Sequence, residues 1–117
     1  MTTSVDTSVL LAIAKGESGA ESWVDLLITA QQQGDLVICD VVAAEFFAAL
    51  LSPETFRETL NRLGIFFSPT ELEAAQLAGH IFRTYRRSGG PREHLIPDFM
   101  VGAHALIQAD GIAAIDR

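Results

Sequence analysis

Positive charge is what this sequence most lacks. Eight Lys and Arg face 15 Asp and Glu, for a formal net charge of -7 over 117 residues. A protein that coats nucleic acid by charge neutralisation is usually basic, so that class is set aside. An enzyme that meets phosphates through a bound cation is not. Cysteine is nearly absent too: Cys39 stands alone, so no internal disulfide can form, and a reducing cytosol is the expected setting. No apolar run approaches the roughly 20 residues of a membrane span. No basic flank with an apolar core behind it opens the chain, so neither a membrane anchor nor a secretory leader is expected. His80, His94 and His104 show no metal-ligand spacing with Cys39, which argues against zinc and leaves them surface or helix-packing roles. Internal repeats, low-complexity tracts and linkers are missing as well.

What is present is enough apolar material for one folded domain: 49% of the residues are hydrophobic and only 20% are charged. A β-branched run (Thr2, Thr3, Val5) predicts a first strand, and the apolar positions Val9, Leu10 and Ile13 predict a short helix to about Lys15. Ser18 and Glu21 have capping-box spacing and predict a second helix, carrying Trp23, Leu27 and Ala30 on one face and stopping at Gly34. Leu36-Val37-Ile38-Cys39 reads as a buried parallel strand. Asp40 is expected to cap a helix over Val41 to Leu51. Ser52-Pro53 then opens another with Phe56, Leu60 and Leu63 on one side. Ile65-Phe66-Phe67 is a third strand. Thr70 and Glu73 form a second capping-box pattern, before a helix presenting Leu72, Ala75, Gly79 and Phe82. Pro97 heads the last helix, which Asp110-Gly111 closes, and Ile112-Ala113-Ala114-Ile115 is the final strand. Strands separated by helices imply an α/β fold, a parallel sheet with helices on both faces. These pieces leave the strand order open.

Most of the acids sit where a solvated face, a helix start or a turn explains them. Four do not. Asp6 ends the first strand and Asp116 ends the last. Asp98 lies in the first turn of the last helix. Glu45 lies inside the otherwise apolar Val42-Ala43-Ala44-Glu45-Phe46-Phe47, where a charge needs a partner or an ion. Each has an ordinary explanation: N-capping for Asp6, helix-dipole stabilisation for Asp98, an exposed head for Glu45, a plain strand-end acid for Asp116. Asp40 could be a fifth member, although capping accounts for it. Jointly the four fall just past strand carboxyl ends or near helix amino ends, where an open α/β sheet collects ligands. Carboxylates sharing one cleft repel unless a cation neutralises them. All-oxygen donors favour Mg²⁺ or Mn²⁺ over zinc.

At these residues the sequence resembles the PIN domains, and within them the VapC toxins of toxin–antitoxin pairs. The resemblance rests on Val-Asp-Thr-Ser-Val-Leu at Val5, Ala-Glu-Phe at Ala44, Pro-Asp-Phe-Met-Val-Gly-Ala-His-Ala-Leu at Pro97 and Ile-Asp-Arg at Ile115, and it covers essentially the whole chain. It implies one PIN-like three-layer α/β/α sandwich with a short central parallel sheet. It also implies a metal-dependent endoribonuclease toxin of the cytoplasm, usually a homodimer and inhibited by a cognate VapB-type antitoxin. Asp6, Glu45, Asp98 and Asp116 would then be the catalytic and metal-binding acids, with Thr7 or Ser8 a hydroxyl supporting the first. Two departures stand out. The family often has Thr or Ser two residues before the final acid, where this sequence has Ala114, so a hydrogen bond holding Asp116 is expected to be missing. The family also usually runs on past the position of Arg117, so residues 1–117 are expected to lack the last C-terminal strand.

Arg83, Arg86, Arg87 and Arg92 cluster around Tyr85 and lead through Gly-Gly-Pro to Asp98. They could hold RNA phosphates, or be a solvated helix end favoured by the dipole. Trp23, Leu27, Phe46, Phe47 and Phe56 are expected to be mainly core, with some available to an antitoxin helix or a dimer contact. Two other functions are weighed. A catalytically weak or inactive PIN-type module that binds partners is the alternative. A receiver-type signalling domain fits less well: Asp6 has no acidic neighbour, Ile65-Phe66-Phe67 ends in Ser68, and the single lysine, Lys15, is early.

Overall fold

The computed structural model describes residues 1–89 and 96–115. Among them the chain runs β1 (Thr3–Val5), α1 (Thr7–Ala14), α2 (Ala20–Gln33), β2 (Leu36–Ile38), α3 (Asp40–Leu50), α4 (Pro53–Leu63), β3 (Ile65–Phe67), α5 (Leu72–Arg87), α6 (Ile96–Gln108) and β4 (Gly111–Ala113). All pairings are parallel and the strand order is β3-β2-β1-β4. From β1 the chain steps to β2 and then β3 in one direction, and the α5–α6 connection carries it back past β1 to β4. Parallel crossovers are right-handed in nearly all proteins, so that reversal puts α1 to α4 on one face and α5 and α6 on the other. The packing agrees. Helix α1 touches α2, α3 and α4, whereas α5 packs chiefly on α6. The expected α/β sandwich with a short parallel sheet is what forms.

The uninterrupted apolar strand is as buried as its composition demands: Leu36, Val37 and Ile38 are all in the core, with Val5, Val9, Leu10, Leu27, Val42 and Phe46. Phe56 closes the core on the α4 side, its ring 5.6 Å from Phe46 and 5.5 Å from Phe47. Of the large apolar residues singled out above, Leu27 and Phe46 are fully buried and Trp23 and Phe56 pack on the core. Only Phe47 is exposed. Strand β3 is different. It is a sheet edge, and Phe66 and Phe67 are 60% and 61% exposed.

Several local expectations are corrected. Ser18 and Glu21 form no capping box; Gly19 caps α2 in the left-handed region at φ 89°, which a glycine adopts without strain, and no side chain caps the helix. Gly34 does stop α2, and it is needed there because a Cβ would collide with the backbone of Met1. Cys39, not Asp40, is the N-cap of α3, and Asp40 is its first residue. The Asp40 carboxylate instead accepts from Thr70 N (2.8 Å) and Thr70 Oγ1 (2.5 Å). Drawn off in this way, Thr70 caps nothing, and Glu71 is the N-cap of α5. The buried face of α5 is Ala74 and Ala78, small residues that permit a close approach to α6, while Leu72 is 85% exposed and Gly79 is also exposed. Ser52 and Pro53 behave as expected, Ser52 Oγ accepting from Thr55 N at 3.3 Å. Strand β4 ends at Ala113, two residues before the expected end. No helix among the described residues is long and apolar enough to cross a membrane.

Candidate metal-binding cleft

The sheet order predicts where a ligand belongs. Chain connections leave β1 toward β2 on one side and arrive at β4 on the other, so a crevice opens beyond the carboxyl ends of β1 and β4. An open cleft of about 320 Å³ lies there, and Asp6, Thr7, Glu45 and Asp98 line it together with Gly102 and Ala114. The three acids are 39 and 53 residues apart in sequence, so the fold has gathered them from three separate elements.

Asp6 is the N-cap of α1, its carboxylate accepting from Ser8 N (3.2 Å) and Ser8 Oγ (2.6 Å). Asp6 therefore both caps α1 and lines the cleft. Ser8 Oγ also accepts from Ile115 N at 3.0 Å, and Asp6 N donates to Ala113 O at 2.9 Å. One hydroxyl thus ties the first acid to the segment that leads to Asp116. Thr7 supports a different acid from the one expected. Its Oγ1 donates to Glu45 Oε1 at 2.9 Å, across from α1 to α3. Glu45 is exposed toward the cleft side of α3 while its neighbour Phe46 is fully buried. Asp98 stands in the first turn of α6.

Asp116, the expected fourth acid, lies outside the described residues, as do Arg92 and His94. Ala114 lines the cleft itself, so the position where a hydroxyl was missed does border the site. Arg83, Arg86 and Arg87 occupy the end of α5, the last two in its final turn. That end is held against the head of α6 by rings: Phe99 lies 5.6 Å from Phe82 and 5.3 Å from Tyr85. His104 is a core residue, fully buried.

The donor chemistry of the cleft fits a hard divalent cation: carboxylate and hydroxyl oxygens, with no thiol or imidazole on its walls among the described residues. Among the described residues, no three His, Cys, Asp or Glu side chains are drawn tightly enough together to grasp one ion. A larger hollow of about 600 Å³ lies between α2 and β4, but its walls are mostly apolar and Asp25 is its one charged side chain, so it lacks the means for this chemistry.

Comparison with known proteins bears on the family and the fold. The PIN domain family model matches residues 4–116, a span that includes Asp6, Glu45, Asp98 and Asp116. Ribonuclease VapC10 of Mycobacterium tuberculosis is 31% identical over 113 residues, which make up 96% of this chain and 80% of the relative. Among solved structures, VapBC2 from Rickettsia felis, bound to a DNA fragment from its promoter, superposes with a TM-score of 0.74 at 17% identity. That match covers 97% of this chain and 87% of the other. The Mycobacterium tuberculosis toxin VapC20, which cleaves the sarcin-ricin loop, gives 0.72 at 16% identity, covering 97% and 89%. Identities this low speak for the fold alone. A receiver-type domain is set aside by the family match.

Proposed function

The chain belongs to the PIN-domain family, and from that premise we propose that it is a metal-dependent endoribonuclease toxin, hydrolysing RNA phosphodiester bonds in the cytoplasm and silenced by a cognate VapB-type antitoxin. The observation that carries the reading is the convergence of Asp6, Glu45 and Asp98 on one cleft at the switch point of the sheet. Ribonuclease VapC10 lends it support as a relative that matches along almost the whole chain.

In this reading Asp6, Glu45, Asp98 and Asp116 hold Mg²⁺ or Mn²⁺. Such an ion, when bound, acidifies a water and neutralises the charge that builds on the leaving oxygen. The protein's own work is positional. Ser8 fixes the rotamer of Asp6, and Thr7 fixes that of Glu45, so the carboxylates meet the ion with little side-chain entropy left to lose. Arg83, Arg86 and Arg87, on the end of α5 that packs against the head of α6, offer RNA phosphates a cationic surface and so offset the acidic net charge locally, and Arg92 is proposed for the same role. A homodimer is part of the same proposal. A weakly catalytic module that chiefly binds partners is the second reading, favoured by Ala114 on the cleft wall where a hydroxyl would steady the last acid.

The test is cleavage of a structured RNA by the full chain with Mg²⁺ or Mn²⁺, with EDTA, and with Asp98→Asn. Cleavage that needs the metal and falls at least about 100-fold in Asp98→Asn, the upper end of what even outer-shell groups contribute, supports the nuclease. Metal-independent cleavage, or full activity in the variant, overturns it. RNA left intact while the antitoxin still binds selects the second reading.

A further inference from the structure

Below the cleft lies a polar cluster that the proposed chemistry does not use. His104 is fully buried on α6, six residues after Asp98. Its ring is gripped at both ends. Nδ1 lies 3.4 Å from the Oγ of Ser4, itself fully buried on β1, and Nε2 lies 3.1 Å from the Oγ of Ser68, just past β3. Ser4 is two residues before Asp6.

Apolar packing alone would fill this space, and it is non-directional: a leucine tolerates small slides of a helix over a sheet. An imidazole in a dry core is less tolerant, because each ring nitrogen must keep its partner or bear the penalty of an unsatisfied polar atom. The two hydroxyls can each donate or accept, so a neutral ring is satisfied at both ends. Burial pushes the ring's pKa below its ordinary value, while the Ser68 backbone and then the charges of Asp40 and Glu71 pull the other way. The anchors are themselves fixed. Ser68 N donates to Ile38 O at 2.8 Å. Gln108, one turn beyond His104, reaches Ser68 Oγ at 3.4 Å and Pro69 O at 3.0 Å through Nε2, while its Oε1 accepts from Glu71 N at 2.8 Å. Six residues of α-helix, less than two turns, form a stiff rod. Any rotation of α6 that strained the ring would also swing Asp98.

We infer that His104 is a positioning residue: held between Ser4 on β1 and Ser68 beyond β3, it sets the rotation and depth of α6, and so where Asp98 stands across the cleft from Asp6. The inference rests on the metal-cleft reading above.

The experiment is the Mn²⁺-dependent rise in melting temperature of the full chain, titrated in the wild type, His104→Leu, His104→Gln and Ser68→Ala. Ser68 lies on no wall of the cleft, so an effect there must travel through its two partners on α6, His104 and Gln108, and Gln108→Ala run alongside separates the two routes. In His104→Leu the metal concentration giving half of the rise is expected to move up about tenfold, the lower end of what outer-shell partners of metal ligands contribute. Ser68→Ala moves the same way by a smaller factor, and His104→Gln, which can still donate and accept, recovers most of the loss. Should His104→Leu fail to fold, Ser68→Ala alone decides. Variants that melt lower without metal yet saturate at the wild-type Mn²⁺ concentration give His104 a purely structural role and overturn the inference while leaving the nuclease reading intact. A wild type whose melting ignores Mn²⁺ overturns both.

Discussion

Ser8→Ala is the substitution whose consequences the structure specifies most fully. The hydroxyl donates to the Asp6 carboxylate at 2.6 Å and accepts from Ile115 N at 3.0 Å, and both bonds are part-buried. A hydrogen bond to a charged group contributes about 1.5–3 kcal/mol and a neutral one about 1. Partial exposure takes the charged bond to the bottom of its range or below, since water competes for the carboxylate, and the joint loss is then about 2 kcal/mol. Unfolding entropy for a chain of 117 residues is about 0.25 kcal/mol/K, so the melting temperature should fall by about 8 °C. The same deletion leaves the Asp6 carboxylate only the longer bond from Ser8 N, and apparent Mn²⁺ affinity should drop about 10- to 100-fold. Ser8→Thr, which keeps the hydroxyl, should retain most of both. Thermal melts with and without Mn²⁺ read the two effects separately. A Ser8→Ala protein that melts within about 1 °C of wild type, a small fraction of the shift worked out above, and binds Mn²⁺ unchanged would refute the claim that this hydroxyl organises the cleft.

Two further outcomes test the scaffold. The Thr70 hydroxyl and backbone bonds hold the Asp40 carboxyl below its ordinary pKa. Its stabilisation is therefore fully present above the unfolded pKa of about 3.9 and lost as pH falls through the folded value. In urea unfolding, the gap between wild type and Asp40→Ala should be constant from neutral pH down to about 5 and close below about 4; a gap that persists in acid contradicts the assignment. Phe46 is the largest fully buried side chain among the described residues and packs on Phe56. Phe46→Ala should cost about 3–5 kcal/mol in the same assay, and a loss under about 1 kcal/mol would show that the core collapses around the gap.

What the sequence made legible follows from how local each feature is. Leu36 to Ile38 announced a buried strand because both faces of that strand are covered, and Ser52-Pro53 announced a helix start because cap and first turn lie within a few residues. The acids were legible as exceptions: Glu45 amid apolar neighbours, and Asp6 and Asp98 at element ends. The expected hydroxyl beside Asp6, Thr7 or Ser8, is Ser8, whereas the pairing of Thr7 with Glu45 spans 38 residues and has no local signature. Both capping boxes failed for physical reasons. Gly19 itself takes the N-cap place of α2 in the left-handed conformation, and Thr70 is turned to Asp40, 30 residues away, by its N–H and hydroxyl while Glu71 takes the N-cap place of α5. His104 was read with His80 and His94 as surface or helix packing; its partners lie 100 and 36 residues distant, so nothing local told it from His80. Strand order is likewise a sum of non-local pairings, and it was the reversal at β1 that located the cleft.

Isothermal titration of Mn²⁺ into the full chain most directly tests whether these carboxylates form a cation site. A saturable binding heat in the wild type, abolished in both Asp6→Asn and Asp98→Asn while their far-ultraviolet circular dichroism stays unchanged, is the predicted result. No heat in the wild type, or the same heat in all three proteins, would contradict it.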